Sequence, residues 1–570
     1  MAASSLTEGD AVARVVQICS GKAKYTFGLL LACALIPIAL LCTACGGTQD
    51  PKKQQQSNGP ELDTSNFVVA IDDKPDTVDF QRTTINYTIA TNVFDRLVET
   101  VLQENGEAKI EPSLAESWEE STDGRVYTFH LRKDVTFSNG SPLTSSDILY
   151  TFTRLLTHPD SCNQDIVGDI LGAKQLEAGQ ASELEGFKIL DDHTFAITLE
   201  QPFEAFLACL STPGASIMDE ETLKKVGDDF GMKPEATIGT GPLILHEWDH
   251  EKGMLLTVNK NCWNGPAKCA GVDLRFATEP EEIRSLFDNG QLDILDLDDL
   301  GSSAEFYIHG DIYQSRIQEV PRTAIAYIAL NESIEPLGDV RVRKALQLAL
   351  NRPLLLEAVY SGRGTVENGI YPFGLYGHNQ NLPEIPYDTN SARQLLQEAG
   401  YADGFDLTFA VKSSSTQWEM ALANQAVSMW ESIGVRAKVK VLDEDEFMSQ
   451  RKSGKLPCYT ATWTADFDDP DNFVYTFFGT PANATFRSLN YGNDGVMERV
   501  RGARGITDPV ARLREYQDLE RVIVQDDAAW IPLFSRKHLY VTSERLEGFQ
   551  YLWNGSVKSL FYRMSIKTTP

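Results

Sequence analysis

The chain has 570 residues, with 51 Lys and Arg against 81 Asp and Glu, for a formal net charge of −30. So acidic a chain, with no long basic run, is expected to repel nucleic acid and anionic membrane surfaces wherever no local patch overrides the sum, which speaks against nucleic acid as a partner. A hydrophobic share of 42% with 23% charged residues also excludes wholesale disorder and the fibrous classes.

In chain order, Lys22 and Lys24 precede an uncharged apolar run over residues 25–41, and Cys42-Thr43-Ala44-Cys45-Gly46 follows at once. A basic stretch, an apolar stretch and a cysteine among small residues predict a secretory leader of the lipoprotein type over 1–44, with Cys45 acylated after cleavage. The alternative is a signal-anchor helix, since the run is at the short edge of what spans a bilayer. Residues 45–65 contain a single large aliphatic side chain, Leu62, among Gly, Gln, Lys, Pro and Asp. Too little apolar area is available there to offset ordering entropy, and a flexible tether is expected.

The body opens on FVVAI, residues 67–71, which predicts a buried first strand. In VYTFHLRKDVTF the alternation puts Tyr127, Phe129, Leu131 and, past a turn, Val135 on the inner face of a hairpin. Apolar residues three and four apart predict helices in SSDILYTFTRLL, EEIRSLFDNG, DVRVRKALQLAL, TNSARQLLQEAG and EMALANQAVSMWESIG, several ending in Gly. The fold class is α/β, with sheets covered by helices.

Two motifs suggest metals. His246-Glu247-Trp248-Asp249-His250 fits HExxH, which binds zinc only on a helix, where residues four apart share a face. Its flanks read as two β-runs around a polar turn, and on a strand the histidines would stand roughly 13 Å apart. A secreted zinc peptidase using His246 and His250 is therefore the rival enzyme reading. Asp466, Asp468, Asp469 and Asp471 could offer oxygens to calcium, but Pro470 and Asp471 occupy the fifth and sixth places of the loop, and glycine should hold the sixth. There is no GxxxxGK[ST] loop and no GxSxG elbow, and Gly239-Thr240-Gly241 leads into a strand. The pattern favours binding over catalysis, with no metal and no cofactor. Among the later cysteines, Cys262 and Cys269 in CWNGPAKC could close a turn as a disulfide or stand as two thiols.

Taken together, the segments LAESWEESTDGRVYTFHLRKDVTFSNGSPLTSSDILYTFTRLL (114–156), GTGPLIL, NKNCWNG, DNGQLDI, LNESIEPLGDVRVRKALQLALNR, YDTNSARQLLQEAGY and WTADFDDPDNF (from 463) resemble, in order, the family 5 solute-binding proteins of bacterial ABC importers. That resemblance implies a two-lobed periplasmic-binding-protein-like fold (type II, cluster C) with a hinge-closed cleft and an extra subdomain in the first lobe. Lobe one would combine 66–94, 237–325 and 530–570, the subdomain would be 95–236, and lobe two 326–529. It implies a monomeric receptor, not an enzyme, that takes a peptide, an oligopeptide first of all, as cargo for a permease and its ATPase subunits. In the peptide-binding branches the aspartate of W-x-x-D receives the ligand's α-ammonium, and Trp463 and Asp466 match that motif. Arg451 falls where the oligopeptide branch has an arginine near the ligand, and Phe534 where it has cleft tyrosines. The dipeptide branch clamps the ligand carboxylate with an arginine, and Ser413 stands at that place here, so strict dipeptide selection is not implied. A family member for a nickel chelate or an oligosaccharide is the other binding reading.

Overall fold

The computed structural model describes residues 66–567 apart from 72–73, 84–86, 105 and 558–559. The leader, the tether and Cys45 lie outside the described residues.

One long strand organises the body. Trp530–Thr542 is the hub of a twelve-stranded sheet and takes part in both halves of it. Its second half pairs antiparallel with Ile317–Pro321 and Ile294–Asp296, and beyond these run Phe67–Ile71, Gly271–Phe276, Gly253–Val258 and Leu243–Asp249. Its first half pairs with Ala324–Leu330, followed by Cys458–Thr464, Asp406–Lys412 and Arg436–Leu442. The chain therefore passes between two lobes on two adjacent antiparallel segments, near Arg322 and Arg536, whose backbone N–H and C=O meet at 3.3 Å. The expected lobe border at 530 falls inside this strand, whose residues Trp530 to Arg536 pair with Ala324–Leu330 and Gly364–Val366 and whose residues Lys537 to Thr542 pair with Ile317–Pro321 and Ile294–Asp296.

The helices form where the apolar spacing places them. Ser145–Thr157 starts on a capping box between Thr144 and Asp147, and Gln417–Glu431 on one between Thr416 and Glu419, each satisfying N–H groups that a helix start leaves unpaired. The latter helix connects the parallel strands Asp406–Lys412 and Arg436–Leu442 and buries Trp430, whose indole donates to the Leu346 carbonyl at 3.0 Å. The alternation of Tyr127, Phe129 and Leu131 holds, all three buried on the strand Val126–Leu131 of a separate four-stranded sheet, but that strand pairs with Ala115–Glu120 and Thr194–Thr198, so the hairpin expected to run on to Val135 does not form, and Val135 is buried outside the sheet.

The signature motifs near Gly239 and Trp263 meet on a single carboxylate. Asp95 accepts from the Thr240 hydroxyl and the Trp263 indole, both at 2.9 Å. Gly239 packs against the Val93 carbonyl so closely that a Cβ there would stand 2.1 Å from the oxygen, which explains the glycine without any nucleotide. HEWDH falls on the strand Leu243–Asp249 and the turn after it, with both histidines exposed and the His250 ring against Trp248. Cys262 and Cys269 are free thiols, each pushed up to about 11 by burial, so the turn is held without a disulfide.

Candidate ligand site

The site is built on the loop that leaves strand Cys458–Thr464 and enters helix Asp471–Phe478. Asn472, buried in the first turn of that helix, fixes both residues of the W-x-x-D pair. Its side-chain oxygen accepts from the Trp463 indole at 3.1 Å and from the Asp466 backbone N–H at 3.2 Å, while its NH₂ donates to Asp466 Oδ2 at 3.1 Å. Asp466 Oδ1 has no partner among the described residues.

The other acids of the loop are occupied structurally. Asp469 receives Arg512 through both oxygens at 2.8 Å, and Asp471 accepts from Tyr516 and Arg504, each at 3.1 Å. Asp468 accepts the Tyr376 backbone N–H at 2.7 Å. These bonds account for Asp469 and Asp471 of the acidic cluster that had suggested calcium, whereas Asp466 and Asp468 each keep one oxygen without a partner among the described residues.

The Asp466 carboxylate faces the other lobe. Phe467, its neighbour, packs against the apolar cluster of the subdomain that contains Phe129 and Ile217. Asp466 keeps contact with water, yet protein surrounds it closely enough that burial pushes its pKa up to about 6, with the charge of Asp165 adding to the rise and Asn472 and Arg487 opposing it. Tyr87, also from the first lobe, is pushed up by burial and further by Asp466. Nearby, Arg504 spans the lobes: it pairs with Asp169 at 2.8 Å and stacks between Phe203 and Tyr475 at 4.0 and 4.2 Å, while its carbonyl accepts the Glu204 N–H.

The remaining expected site residues separate. Trp463 lies at the site, edge-on to Phe477 at 5.3 Å and beneath the Arg487 guanidinium. Arg451, at the end of helix Glu444–Lys452, stacks on Phe486 at 5.7 Å. Phe534 is a correction: it is 0% exposed, packs on Tyr360 at 5.5 Å and belongs to the core of the second lobe rather than to a cleft wall. Asn472, Arg487, Arg504, Tyr87 and Asp165 were not singled out by sequence. Only Asn472 carried a usable signal, as the polar residue six after Asp466 on the helix that closes the loop.

Several buried carboxyls set the response to pH. Burial pushes Asp468 up to about 7, Asp471 to about 6 and Glu520 to about 8; Glu520 accepts the Ile370 and Tyr371 N–H groups from inside the core. An acid whose pKa is higher folded than unfolded makes the folded state hold more protons, so stability falls as pH rises through that window. The thermal midpoint is expected to rise on acidification from about pH 8 to about pH 5 and to fall below about pH 4, where Asp339 and Asp518, held low by hydrogen bonds from Arg341 and Arg499, lose their charge. A calorimetric scan in which the midpoint stayed flat or increased with pH above 5 would count against buried carboxyls.

Two lobes, two crossing segments and a polar site facing across the crevice define a ligand-binding receptor of the periplasmic-binding-protein class. The chain belongs to the bacterial extracellular solute-binding proteins, family 5, whose sequence pattern matches residues 109–485, and which serve ABC importers. It is 28% identical over 473 residues to Heme-binding protein A of Haemophilus influenzae, covering 80% of this chain and 84% of the relative. It is 28% identical over 494 residues to Di/tripeptide-binding protein 1 of Pseudomonas aeruginosa, covering 81% and 88%. Among solved structures, a periplasmic binding protein of Helicobacter pylori in complex with the peptide STSA superposes with a TM-score of 0.71 at 23% identity, covering 88% of this chain and 99% of that one. No helix among the described residues is long and apolar enough to cross a membrane.

Proposed function

We propose that this receptor captures peptides outside the cytoplasm by their free amino terminus, closes its lobes on them and delivers them to the permease of an ABC importer, with Cys45 as its lipid anchor. The observation that carries the reading is Asp466: a carboxylate oriented by Asn472 and Trp463, with one oxygen unpartnered, facing the first lobe. An ammonium moved out of water is tolerable only beside a fixed charge of opposite sign with further acceptors. Asp165 and the Tyr87 hydroxyl, across the crevice, supply negative and polar character from the opposite wall. The relatives named for di- and tripeptides and the neighbour solved with STSA support the same cargo. Hinge closure follows from a ligand that touches both lobes and so favours the closed form, and reopening at the permease is driven by ATP hydrolysis on the importer's ATPase subunits.

Calorimetry with a peptide and its N-acetylated copy tests the proposal. The free peptide is expected to bind roughly a hundredfold or more tightly than the blocked one. Equal affinities would remove the ammonium from the mechanism.

A further inference from the structure

Arg504, directly after helix Asp494–Ala503, takes partners from both lobes with one side chain. Its terminal nitrogens donate to the two Asp169 oxygens at 3.3 and 2.8 Å, and its Nε donates to Asp471 Oδ2 at 3.1 Å. The guanidinium also lies over the Phe203 ring at 4.0 Å and over the Tyr475 ring at 4.2 Å. Phe203 belongs to the apolar cluster around Phe129, whereas Tyr475 packs on the one around Phe473, so each lobe supplies one acid and one ring. Only 17% of the arginine side chain is exposed, and water screens these contacts weakly.

The backbones meet at the same place. The Glu204 N–H donates to the Arg504 carbonyl at 3.2 Å, and a Cβ on Gly505 would stand 3.2 Å from the Pro202 carbonyl oxygen. Both ends of this contact lead to the ligand site. Asp169 lies four residues after Asp165, whose charge acts on Asp466, and the Gly168 N–H between them donates to the Asp165 carbonyl at 3.4 Å. On the other side, Asp471 immediately precedes Asn472, which orients Asp466 and Trp463. Arg504 is bonded to protein through Nε and both terminal nitrogens, which leaves it little to offer a ligand directly.

We propose that Arg504 is a positioning residue that latches the two walls of the crevice at their closed separation, so that it sets how firmly any cargo is kept without choosing which cargo enters. A guanidinium suits this role because its planar fork serves two carboxylates while aromatic rings cover its face. When the lobes part, the partners of one lobe are lost to it. A contact made only in the closed form shifts the affinity of every ligand that binds that form by the same factor. The inference rests on lobe closure as proposed above, and not on an ammonium at Asp466.

Hydrogen–deuterium exchange of the full chain in detergent, read at the Glu204 amide, tests the latch with and without a mixture of dipeptides and tripeptides of Ala, Leu, Phe, Lys and Glu. Arg504→Met keeps the carbonyl that Glu204 uses, and Asp169→Asn keeps the arginine with its acid in the second lobe. In both variants the Glu204 amide is expected to exchange roughly 10-fold faster or more, because its exchange measures how often the lobes part. Thr198, whose N–H donates to the Gly186 carbonyl at 2.7 Å within the subdomain, should keep its rate. Arg504→Lys, which retains the charge, should recover part of the protection. Peptides should leave each variant faster by one common factor whatever their side chains, a pattern that loss of a ligand contact would not give. An unaltered Glu204 rate in both variants would overturn the proposal. So would an equal acceleration at Thr198, which would assign the arginine to the fold alone. Asp169→Asn decides the matter if Arg504→Met does not fold. Peptides that fail to bind the unaltered chain would remove the proposed function, whereas the rates without peptide decide the role of Arg504 on their own.

Discussion

Asp466→Asn is expected to weaken binding of peptides with a free amino terminus by roughly several hundred-fold to a few thousand-fold, the equivalent of about 3–5 kcal/mol for a buried charge left without its partner. Asparagine keeps the shape and can still bond to Asn472, so the fold should survive and the loss should be confined to affinity. The pH dependence gives a second readout. Because the carboxyl is pushed up to about 6 by burial, it must lose its proton before it can hold an ammonium, and affinity should fall about tenfold per unit below that value. In the variant this slope should vanish. The affinity of the unaltered chain thus declines on acidification while its thermal midpoint climbs, opposite signs that separate the site from the core. A variant that bound peptides normally would sink the role given to Asp466.

Arg512→Leu should produce the largest loss of stability. Asp469 and Arg512 are 6% and 4% exposed and share two hydrogen bonds of 2.8 Å, with the guanidinium also over the Tyr516 ring at 4.8 Å. Removing the cation leaves a buried carboxylate uncompensated, which costs about 3–5 kcal/mol, whereas replacing both partners by apolar groups costs far less. The double variant Arg512→Leu with Asp469→Leu is therefore expected to recover most of the denaturant midpoint lost by the single one, and equal midpoints for the two would contradict an uncompensated charge.

How much of this was legible beforehand depends on burial geometry. Helices with one wet face, such as Gln417–Glu431, announce themselves through spacing and through the Thr416 to Glu419 box. HEWDH could be removed from the zinc class because its β-type flanks outweigh a five-residue match. The strand Trp530–Thr542 was harder, since Trp530 to Ser535 are all buried and show no alternation of faces. Phe534 was expected at the cleft, and the lobe border at 530, on the resemblance alone, and the strand offers no alternation against which either could be checked. At the site, the W-x-x-D spacing singled out Trp463 and Asp466, but the Asn472 clamp and the stacking of Arg487 on Trp463 depend on contacts between segments that sequence order does not reveal. Whether an arginine has found an acid is a property of the folded neighbourhood, not of its own residue type.

The second lobe begins and ends on neighbouring strands, with Ala326 directly opposite Phe534. Its entry and exit are thus a strand spacing apart, about 5 Å. A segment with adjacent ends can be lifted out of one host and grafted into another without stretching the junctions. Evolution, or a protein engineer, could exchange residues 326–534 as a single cassette between receptors of this architecture, changing one wall of the crevice while the rest of the scaffold stays as it was.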